Sequence, residues 1–534
     1  MRKLFMWIMV VLFAALMSLP WLVPHCGAFA LIAFLPLLCA DAFATELRVK
    51  HFWIYVFTAF VLWNTATTFW VCNATVGGGI AAIVVNSLVV TLVWSLFRLS
   101  KKHLHGVLPY IFLAAMWIAW ERVYFSLDIS WPWLTLGNAF ARSTRIVQWY
   151  EYTGSLGGSL WVWASNLAIF GIIVATTDGY WMRWRIKGSL CALLGVTLVV
   201  AGPLIASRII YECYEEKSEG RIEVMIGQPN FDPYEKFQSL TQAEQTARLL
   251  DLFETTGDKT EGLLYLGPET FTSDIILDRI EDSPTVQSVR KFLADRDNGS
   301  RMLFGATTYD IYDTHAAPSI LARPYRDGWT ESHNSAVILD GGSKCDVFHK
   351  SKLVVGTELT PYPKLFVPLD NWLSSLLGVP GLMGRCVGQP EISLMNYSDD
   401  VALGCAVCYE SVYGEYCTGY VRKGAKAMTV ITNDAWWGDT PGYRQHLSYS
   451  RLRAIELRRD FARCGNTGIS CFIDQRGDVV SQTDWWESAT LRGHVNLNSE
   501  ETFFVRYGDM VGRICTFVFL MLLLVYLVNL ILRR

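Results

Sequence analysis

The chain has 534 residues, 52% of them hydrophobic and 18% charged, with a formal net charge of −3. That composition excludes an ordinary soluble domain, and a charge so close to zero excludes a nucleic-acid-binding protein. The length allows more than one structural unit. The apolar residues dominate up to about Ser207 and again over Val511–Leu532, whereas Arg208 to about Val505 reads as a water-facing domain.

In chain order, an Arg2-Lys3 start leads into an apolar run from Leu4. No small-residue cleavage site stands out and further apolar runs follow, so a retained anchor is expected rather than a signal peptide. Candidate spans are Leu4–Val23, Ala28–Ala40, Phe52–Val71, Gly79–Phe97, Leu108–Phe125, Ser159–Thr176, Ser189–Ser207 and Val511–Leu532, eight in all. Ala28–Ala40 is short and reads as a re-entrant or tilted piece. With the N-terminus inside, the inner segments hold Arg2, Lys3, Arg48, Lys50, Arg98, Lys101, Lys102, Arg183, Arg185, Lys187, Arg533 and Arg534, while the short outer loops hold only Arg142 and Arg145. This bias predicts cytoplasmic termini and an outer, in a bacterial inner membrane periplasmic, domain. The expected division is a seven-span membrane domain over 1–207, an extracytoplasmic domain over 208–505 and a last span within 506–534. Glu121 and Arg122, at the edge of the fifth span, form a costly ionisable pair. They are expected to shape a lipid headgroup site, to brace the outer domain or to pair structurally at the interface. Ser130–Asn138 (SWPWLTLGN) suits an interfacial outer loop.

The outer domain opens on Arg221–Gln228, which alternates like a strand. A helix over Thr241–Leu252, the apolar run Gly262–Thr270 (GLLYLGPET), a helix near Pro284–Asp295 and a strand over Arg301–Thr308 follow. Asn334–Leu339 and Lys344–His349 form a hairpin at Gly341-Gly342-Ser343. Leu365–Gly384 has one charge, Asp370, and many large apolar side chains. Its prolines, Pro368 and Pro380, and its glycines argue against a regular core element, so a lid or arm dipping into the membrane interface is expected. Val401–Glu410 (VALGCAVCYE) is an apolar run ending on Cys408, Tyr409 and Glu410. Val412–Lys423 reads as a helix, Ala427–Thr432 as a strand, Tyr443–Arg463 as one long helix, and Gly468–Asp474 with Asp478–Gln482 as a last hairpin. Strands interleaved with helices argue for an α/β layered sandwich.

Three polar residues stand where apolar runs stop: Glu269, Lys350 and Cys408. Each alone has a bland explanation. Glu269 suits a helix N-terminal acid after Pro268, Lys350 a solvated hairpin lysine, and Cys408 a core thiol. Together, a carboxylate, an ammonium and a thiol at strand ends suit acyl transfer through a thiolate. Lys350 would favour the thiolate and, with a backbone N–H near Tyr409, stabilise an oxyanion. Glu269 would be the general base, its pKa raised toward the working pH by a water-poor site. Of the thirteen cysteines, eight lie in the outer domain. An oxidising compartment permits disulfides, of open connectivity. Cys405-Cys408 fits a redox CxxC less well than a nucleophile, because Cys405 falls within a core strand.

The stretches LGPET, FHKSKLV, AVCYES and TNDAWWGD resemble the nitrilase (carbon–nitrogen hydrolase) superfamily and, given the membrane setting, its apolipoprotein N-acyltransferase family, over nearly the whole chain. The resemblance implies an eight-helix transmembrane bundle plus an α/β nitrilase-like α-β-β-α sandwich. It implies Glu269 as base, Lys350 as oxyanion stabiliser and Cys408 as nucleophile, with Glu410 and Glu358 supporting them. The family's Pro-Phe-Gly before that last glutamate is Val355-Gly356-Thr357 here. Lys352 is a rival for the lysine role. Tyr409 is expected beside the thioester or in the core, and Asn334, Trp436 and Trp437 at the substrate pocket or as turn residues. The implied partners are a phospholipid acyl donor, the α-amino group of a lipoprotein's N-terminal diacylglyceryl-cysteine as acceptor, and the bilayer. A tether at the outer leaflet raises the effective concentration of such substrates. No metal or organic cofactor has a motif, and a monomer is expected. The competing readings are a membrane-tethered amidase and a transporter or binding protein with a silent outer domain. Scarce intramembrane charge argues against an ion-coupled transporter.

Overall fold

A computed structural model describes residues 2–177, 186–256, 260–296, 298–378 and 381–532. Arg183, Arg185, Pro380, Arg533 and Arg534, named above, lie outside them. Among the described residues, six helical stretches are long and apolar enough to cross a membrane: Arg2–Leu22, Gly27–Glu46, Val76–Ser100, Tyr150–Thr176, Cys191–Cys213 and Met510–Leu532. Two further apolar helices, Trp53–Thr68 and Leu108–Tyr124, have 16 and 17 residues and pack among them.

The piece expected to stop at Ala40 continues to Glu46, because Asp41 is buried and carries a charge partner on each side. Arg98 reaches it at 3.2 Å and Lys101 also contacts it. Read as a sequence, that aspartate looks like the end of an apolar run; folded, it is a neutralised core residue. The helix expected from Ser159 starts at Tyr150, with a kink at Gly154, whose φ is +61°. Glu121 and Arg122 do not pair with each other. Glu121 Oε1 accepts from the Trp117 indole at 3.1 Å and from the Leu136 N–H at 2.8 Å, whereas Arg122 faces Asp509 at 3.8 Å. Glu121 thus fixes the loop that follows its own helix.

The outer half is built on two sheets. The strands of the first are β1 (Arg221–Gln228), β2 (Leu264–Leu266), β3 (Thr272–Ile276), β4 (Arg301–Tyr312), β5 (Arg323–Tyr325), β6 (Gly328–Leu339), β7 (Cys345–His349) and, from the end of the domain, Ala489–Asn496. Its order is Ala489–Asn496, β1, β2, β4, β6, β5, with β3 on β4 and β7 on β6. The second sheet holds β8 (Met395–Asn396), β9 (Ala402–Val407), β10 (Ala427–Thr432), β11 (Phe461–Gly465), β12 (Cys471–Ile473) and β13 (Val479–Gln482), ordered 13-12-11-10-9-8. Between the sheets lie Val224, Ile226, Leu266, Leu303 and Ile338 from one and Leu403, Cys405, Ile431 and Cys464 from the other. Leu249 and Phe253 of the helix Gln242–Glu254, with Val289 and Phe292 of Pro284–Ala294, cover the first sheet's outer face. The helices Gly414–Arg422 and Pro441–Leu457 flank the second. This is an α-β-β-α sandwich.

One further expectation is corrected. The long helix over Tyr443–Arg463 is the helix Pro441–Leu457 followed by β11, and Arg458 at φ +48° makes the break. The proline-rich run from Leu365 contains a 15-residue helix, Pro363–Leu377. Pro363 occupies its first turn, where no N–H is needed, Pro368 forfeits one internal bond, and Gly378 at φ +68° closes it.

Candidate active site

Glu269 stands in an interruption. β2 and β3 both run parallel to β4 along the same edge, and Gly267–Phe271 bulges between them. The bulge stays stitched to β4 by Gly305 N–H donating to Pro268 O at 2.9 Å and Phe271 N–H to Gly305 O at 2.7 Å. Thr270 has φ +46°. A Cβ on Gly305 would lie 2.5 Å from Glu269 Cα, so only glycine lets the bulge lie this close to β4. Lys350 directly follows β7, its N–H donating to Asn334 O at 2.8 Å. Cys408 follows β9, itself left-handed at φ +51°, and opens a 3-10 turn leading toward the helix Gly414–Arg422.

These strand ends converge. Lys350 Nζ donates to Glu269 Oε1 at 3.1 Å and to Glu358 Oε1 at 3.0 Å. Asn334 Nδ2 bridges the same two carboxylates at 2.8 and 2.6 Å. Asn433 N–H donates to Glu269 Oε2 at 3.1 Å, and the Glu269 and Lys350 charges both act on the Cys408 thiol. Glu269, Lys350 and Cys408 are all buried, at 6%, 1% and 9% exposure. Val354 N–H donates to Glu358 Oε2 at 2.7 Å. Lys352 lies apart, its ammonium over the rings of Tyr413 and Tyr416.

Glu410 joins two of the strand ends. It accepts from Ser351 N–H at 2.7 Å and Lys352 N–H at 3.2 Å on one side and from Val407 N–H at 2.9 Å on the other, with Tyr416 Oη at 2.8 Å. Burial raises its carboxyl despite those donors. Tyr409 turns toward the membrane half: its hydroxyl donates to Ser130 O at 3.0 Å and its ring stacks on Trp131 at 6.4 Å. Trp437 also leans on that half, 4.7 Å from Trp70 and 5.6 Å from Trp133 between ring centres, and Trp436 is half-buried in the same turn.

The protonation states correct the sequence reading. Burial pushes the Glu269 carboxyl up, but the Lys350 ammonium and the donors Asn334, Lys350 and Cys408 outweigh it and hold the group below its ordinary value. Burial would lower Lys350, yet Glu269 and Glu358 hold it well above the ordinary lysine range. Burial and the Glu269 charge push the Cys408 thiol well up, and Lys350 does not reverse this. The resting pocket therefore holds a neutral thiol beside a carboxylate, not a preformed thiolate.

Residues that the motif reading passed over lie beside Cys408. Asp434, His446 and Arg463 are fully buried. Asp434 belongs to the TNDAWWGD stretch, but His446 and Arg463 look like surface positions of one long helix. Cys408, Asp434 and His446 present ligand-type atoms within 4.8 Å of one another. Asp434 is already engaged by Arg463, Thr432 and His446, and the guanidinium opposes a cation there.

The carbon-nitrogen hydrolase family matches residues 314–503. The sheet order, the strand-end site and this match define the outer half as a carbon–nitrogen hydrolase domain. The apolipoprotein N-acyltransferase N-terminal domain family matches residues 13–168. Apolipoprotein N-acyltransferase of Chlorobaculum tepidum is 29% identical over 93% of this chain and 91% of its own, and that of Geobacter metallireducens 26% identical over 95% and 93%. Among solved structures, Saccharomyces cerevisiae Nit3, a member of branch 10 of the nitrilase superfamily, is 14% identical with a TM-score of 0.36, over 55% of this chain and 97% of its own. The chain belongs to the apolipoprotein N-acyltransferase family of the nitrilase superfamily.

Proposed function

We propose that the protein transfers a fatty acyl group from a membrane phospholipid, through a thioester on Cys408, to the α-amino group of a lipoprotein's N-terminal diacylglyceryl-cysteine. The observation that carries this reading is the buried contact of Glu269, Lys350 and Cys408 at three strand ends, with Tyr409 anchored on a loop of the membrane half. The relatives' name supports the acceptor. The eight apolar helices and the Lys/Arg bias support a multi-pass protein with cytoplasmic termini, the catalytic domain spanning about 208–505 on the periplasmic side.

In the first half-reaction the Cys408 sulfur attacks the lipid ester carbonyl while its proton passes to Glu269. The Lys350 ammonium and the Tyr409 N–H stabilise the oxyanion. Glu269 returns the proton to the leaving glycerol oxygen as the carbon–oxygen bond breaks, leaving a thioester and a lyso-lipid. Whenever Glu269 is neutralised, Glu358 keeps the buried Lys350 paired, which avoids an isolated charge in a water-poor site. In the second half-reaction the acceptor's neutral amine attacks the thioester and gives its proton to Glu269. The carbon–sulfur bond breaks, the sulfur recovers the proton, and an amide is released.

The test is mass spectrometry of the Cys408 peptide after incubation with a diacyl phospholipid, followed by a chase with a diacylglyceryl-cysteine peptide. A long-chain acyl adduct that disappears as N-acyl peptide forms is expected. No adduct on an intact thiol, or release of free fatty acid with no amide, overturns the reading; the second outcome would favour a hydrolase.

A further inference from the structure

Two lysines follow β7, and they are held differently. Lys350 Nζ is engaged by Glu269 and Glu358. The Lys352 side chain, half-buried two residues on, sets its ammonium over the Tyr413 ring at 5.2 Å and the Tyr416 ring at 5.9 Å. Among the described residues that ammonium forms no hydrogen bond and no ion pair. The carboxylates whose charges reach it, Glu410 and Asp128, are taken up by other donors. Glu410 accepts from the main-chain N–H groups of Ser351, Lys352 and Val407 and from the hydroxyls of Tyr416 and Tyr420. Asp128 Oδ2 accepts from Tyr362 N–H at 2.9 Å. Burial lowers the Lys352 pKa, and the two carboxylate charges only partly offset it. Ring faces attract a cation more weakly than a hydrogen-bonded anion does, so a half-buried ammonium is left without the partner its desolvation calls for.

The surroundings indicate which anion fits. The Tyr413 hydroxyl lies 2.6 Å from Ser130 Oγ, and the Tyr413 ring lies 6.0 Å from that of Phe125, just beyond the end of the apolar helix Leu108–Tyr124. The same ring meets the Tyr409 ring edge-on at 5.2 Å, and Tyr409 directly follows Cys408. The ammonium thus stands where an apolar helix ends and one ring away from the nucleophile's neighbour. A glycerophospholipid attacked by Cys408 carries a phosphodiester one glycerol unit from the ester, at the boundary between its apolar chains and water. We propose, resting on the function proposed above, that Lys352 is a specificity-determining residue whose ammonium receives the phosphodiester of the acyl donor. The phosphodiester leaves with the lyso-lipid, and the diacylglyceryl acceptor that follows has none. The bond from the Lys352 N–H to Glu410 belongs to the main chain and survives any change of the side chain.

The experiment measures thioester formation on Cys408 in the full-length protein in non-ionic detergent, by mass spectrometry of its peptide, with two donors of identical acyl chains. One is phosphatidylglycerol; the other is diacylglycerol, which lacks the phosphate. The ratio of their kcat/KM values is the readout, because damage to the fold slows both donors alike. Lys352→Met should lower the wild-type preference for phosphatidylglycerol by about tenfold to a hundredfold, the worth of a hydrogen bond to a charged group, without lowering the melting temperature. Lys352→Gln carries the same expectation should the methionine variant fold poorly. Lys352→Arg, which keeps the charge, should retain most of the preference. An unchanged ratio in either neutral variant, or an arginine variant that loses as much as the neutral ones, overturns the inference and leaves the proposed function standing. So does inhibition of the phosphatidylglycerol reaction by inorganic phosphate at concentrations below the lipid's own KM, which would mark a site for a free anion. Wild-type protein that forms no thioester from either donor overturns the proposed function itself, and this inference with it.

Discussion

Asn334 is the smallest lever on the pocket's proton balance. Its amide donates to Glu269 and to Glu358 at once, and Glu269 owes part of its lowered pKa to that bond. In the proposed mechanism the reactive form of Glu269 is the carboxylate, so Cys408 acylation should stay level as pH falls and drop only below the ordinary glutamate value of 4.5. A hydrogen bond to a charged acceptor contributes about 1.5–3 kcal/mol, which corresponds to about one to two pH units. Asn334→Leu should therefore move the acid limb of single-turnover acylation upward by about one unit or more; an unmoved limb would remove Asn334 from the balance. Asp434 gives a stability counterpart. Burial alone would raise it, but Arg463 and His446 depress it to about 2 from an ordinary 3.8. A depressed carboxylate stabilises the fold fully above its unfolded pKa and loses that contribution as pH falls through the folded one. Denaturant titrations should show about 2 kcal/mol of stability disappearing between pH 3.8 and about 2. Asp434→Asn should lack this step and be less stable at neutral pH, because Arg463 and His446 lose their buried partner.

The elements that present the site differ in how far the sequence exposes them. The bulge carrying Glu269 depends on Gly305, where a Cβ would meet Glu269 Cα at 2.5 Å and Thr270 N at 2.7 Å, both backbone atoms with little room to yield. Gly305→Ala should cost about 1–3 kcal/mol and lower acylation more than tenfold, while Gly342→Ala, with nothing nearer than 3.5 Å, should change neither. Thermal melts and single-turnover rates on the pair decide this. The helix Pro363–Leu377 aligns Leu365, Leu369, Trp372 and Leu376 on one exposed stripe, while Asp370 turns inward to Arg385 at 2.9 Å. Trp372→Ser with Leu376→Ser should leave the melting temperature unchanged, since both side chains are already more than half exposed. If the stripe enters the bilayer, KM for vesicle-borne phospholipid should rise by tenfold or more while turnover of a short-chain soluble ester is untouched; equal KM values for the two proteins would rule out membrane insertion. The strand ends that carry Glu269 and Cys408 were legible because the apolar runs that stop on those residues mark edges. The helix was not, because Pro368 and its glycines read as breakers although only one internal bond is lost. Nor was the break at Arg458 legible: Arg458, Arg459 and Arg463 sit at helical spacing and count as solvent-facing by pattern, yet all three are buried against specific acceptors.

At the scale of the whole molecule the two halves share one core. Tyr409, Val412, Tyr413, Tyr449, Leu452 and Ile455 of the outer half belong to the same apolar cluster as Trp63, Trp117 and Trp163 of the membrane half. Polar groups cross the same boundary: the Tyr449 hydroxyl donates to Trp133 O at 2.7 Å, and Trp133 Nε1 donates to Gln445 Oε1 at 2.7 Å. Arg458, 3% exposed, adds a charged tie. Its guanidinium reaches Glu151 Oε2 and Gln148 Oε1, each at 2.9 Å, on one side and Gln475 O at 2.9 Å on the other. Removing one partner of a buried pair leaves the other charge uncompensated, so Arg458→Ala should cost about 3–5 kcal/mol. The cost has two sources, a stranded Glu151 and a lost bridge, and a double-mutant cycle separates them. If the stranded charge dominates, adding Glu151→Ala should recover most of the stability but not the acylation rate, because Tyr409 and the turn before it still depend on how the halves are seated. Full recovery of both would mean that Arg458 serves only to neutralise Glu151 and that seating of the site on the bundle rests on the aromatic contacts alone.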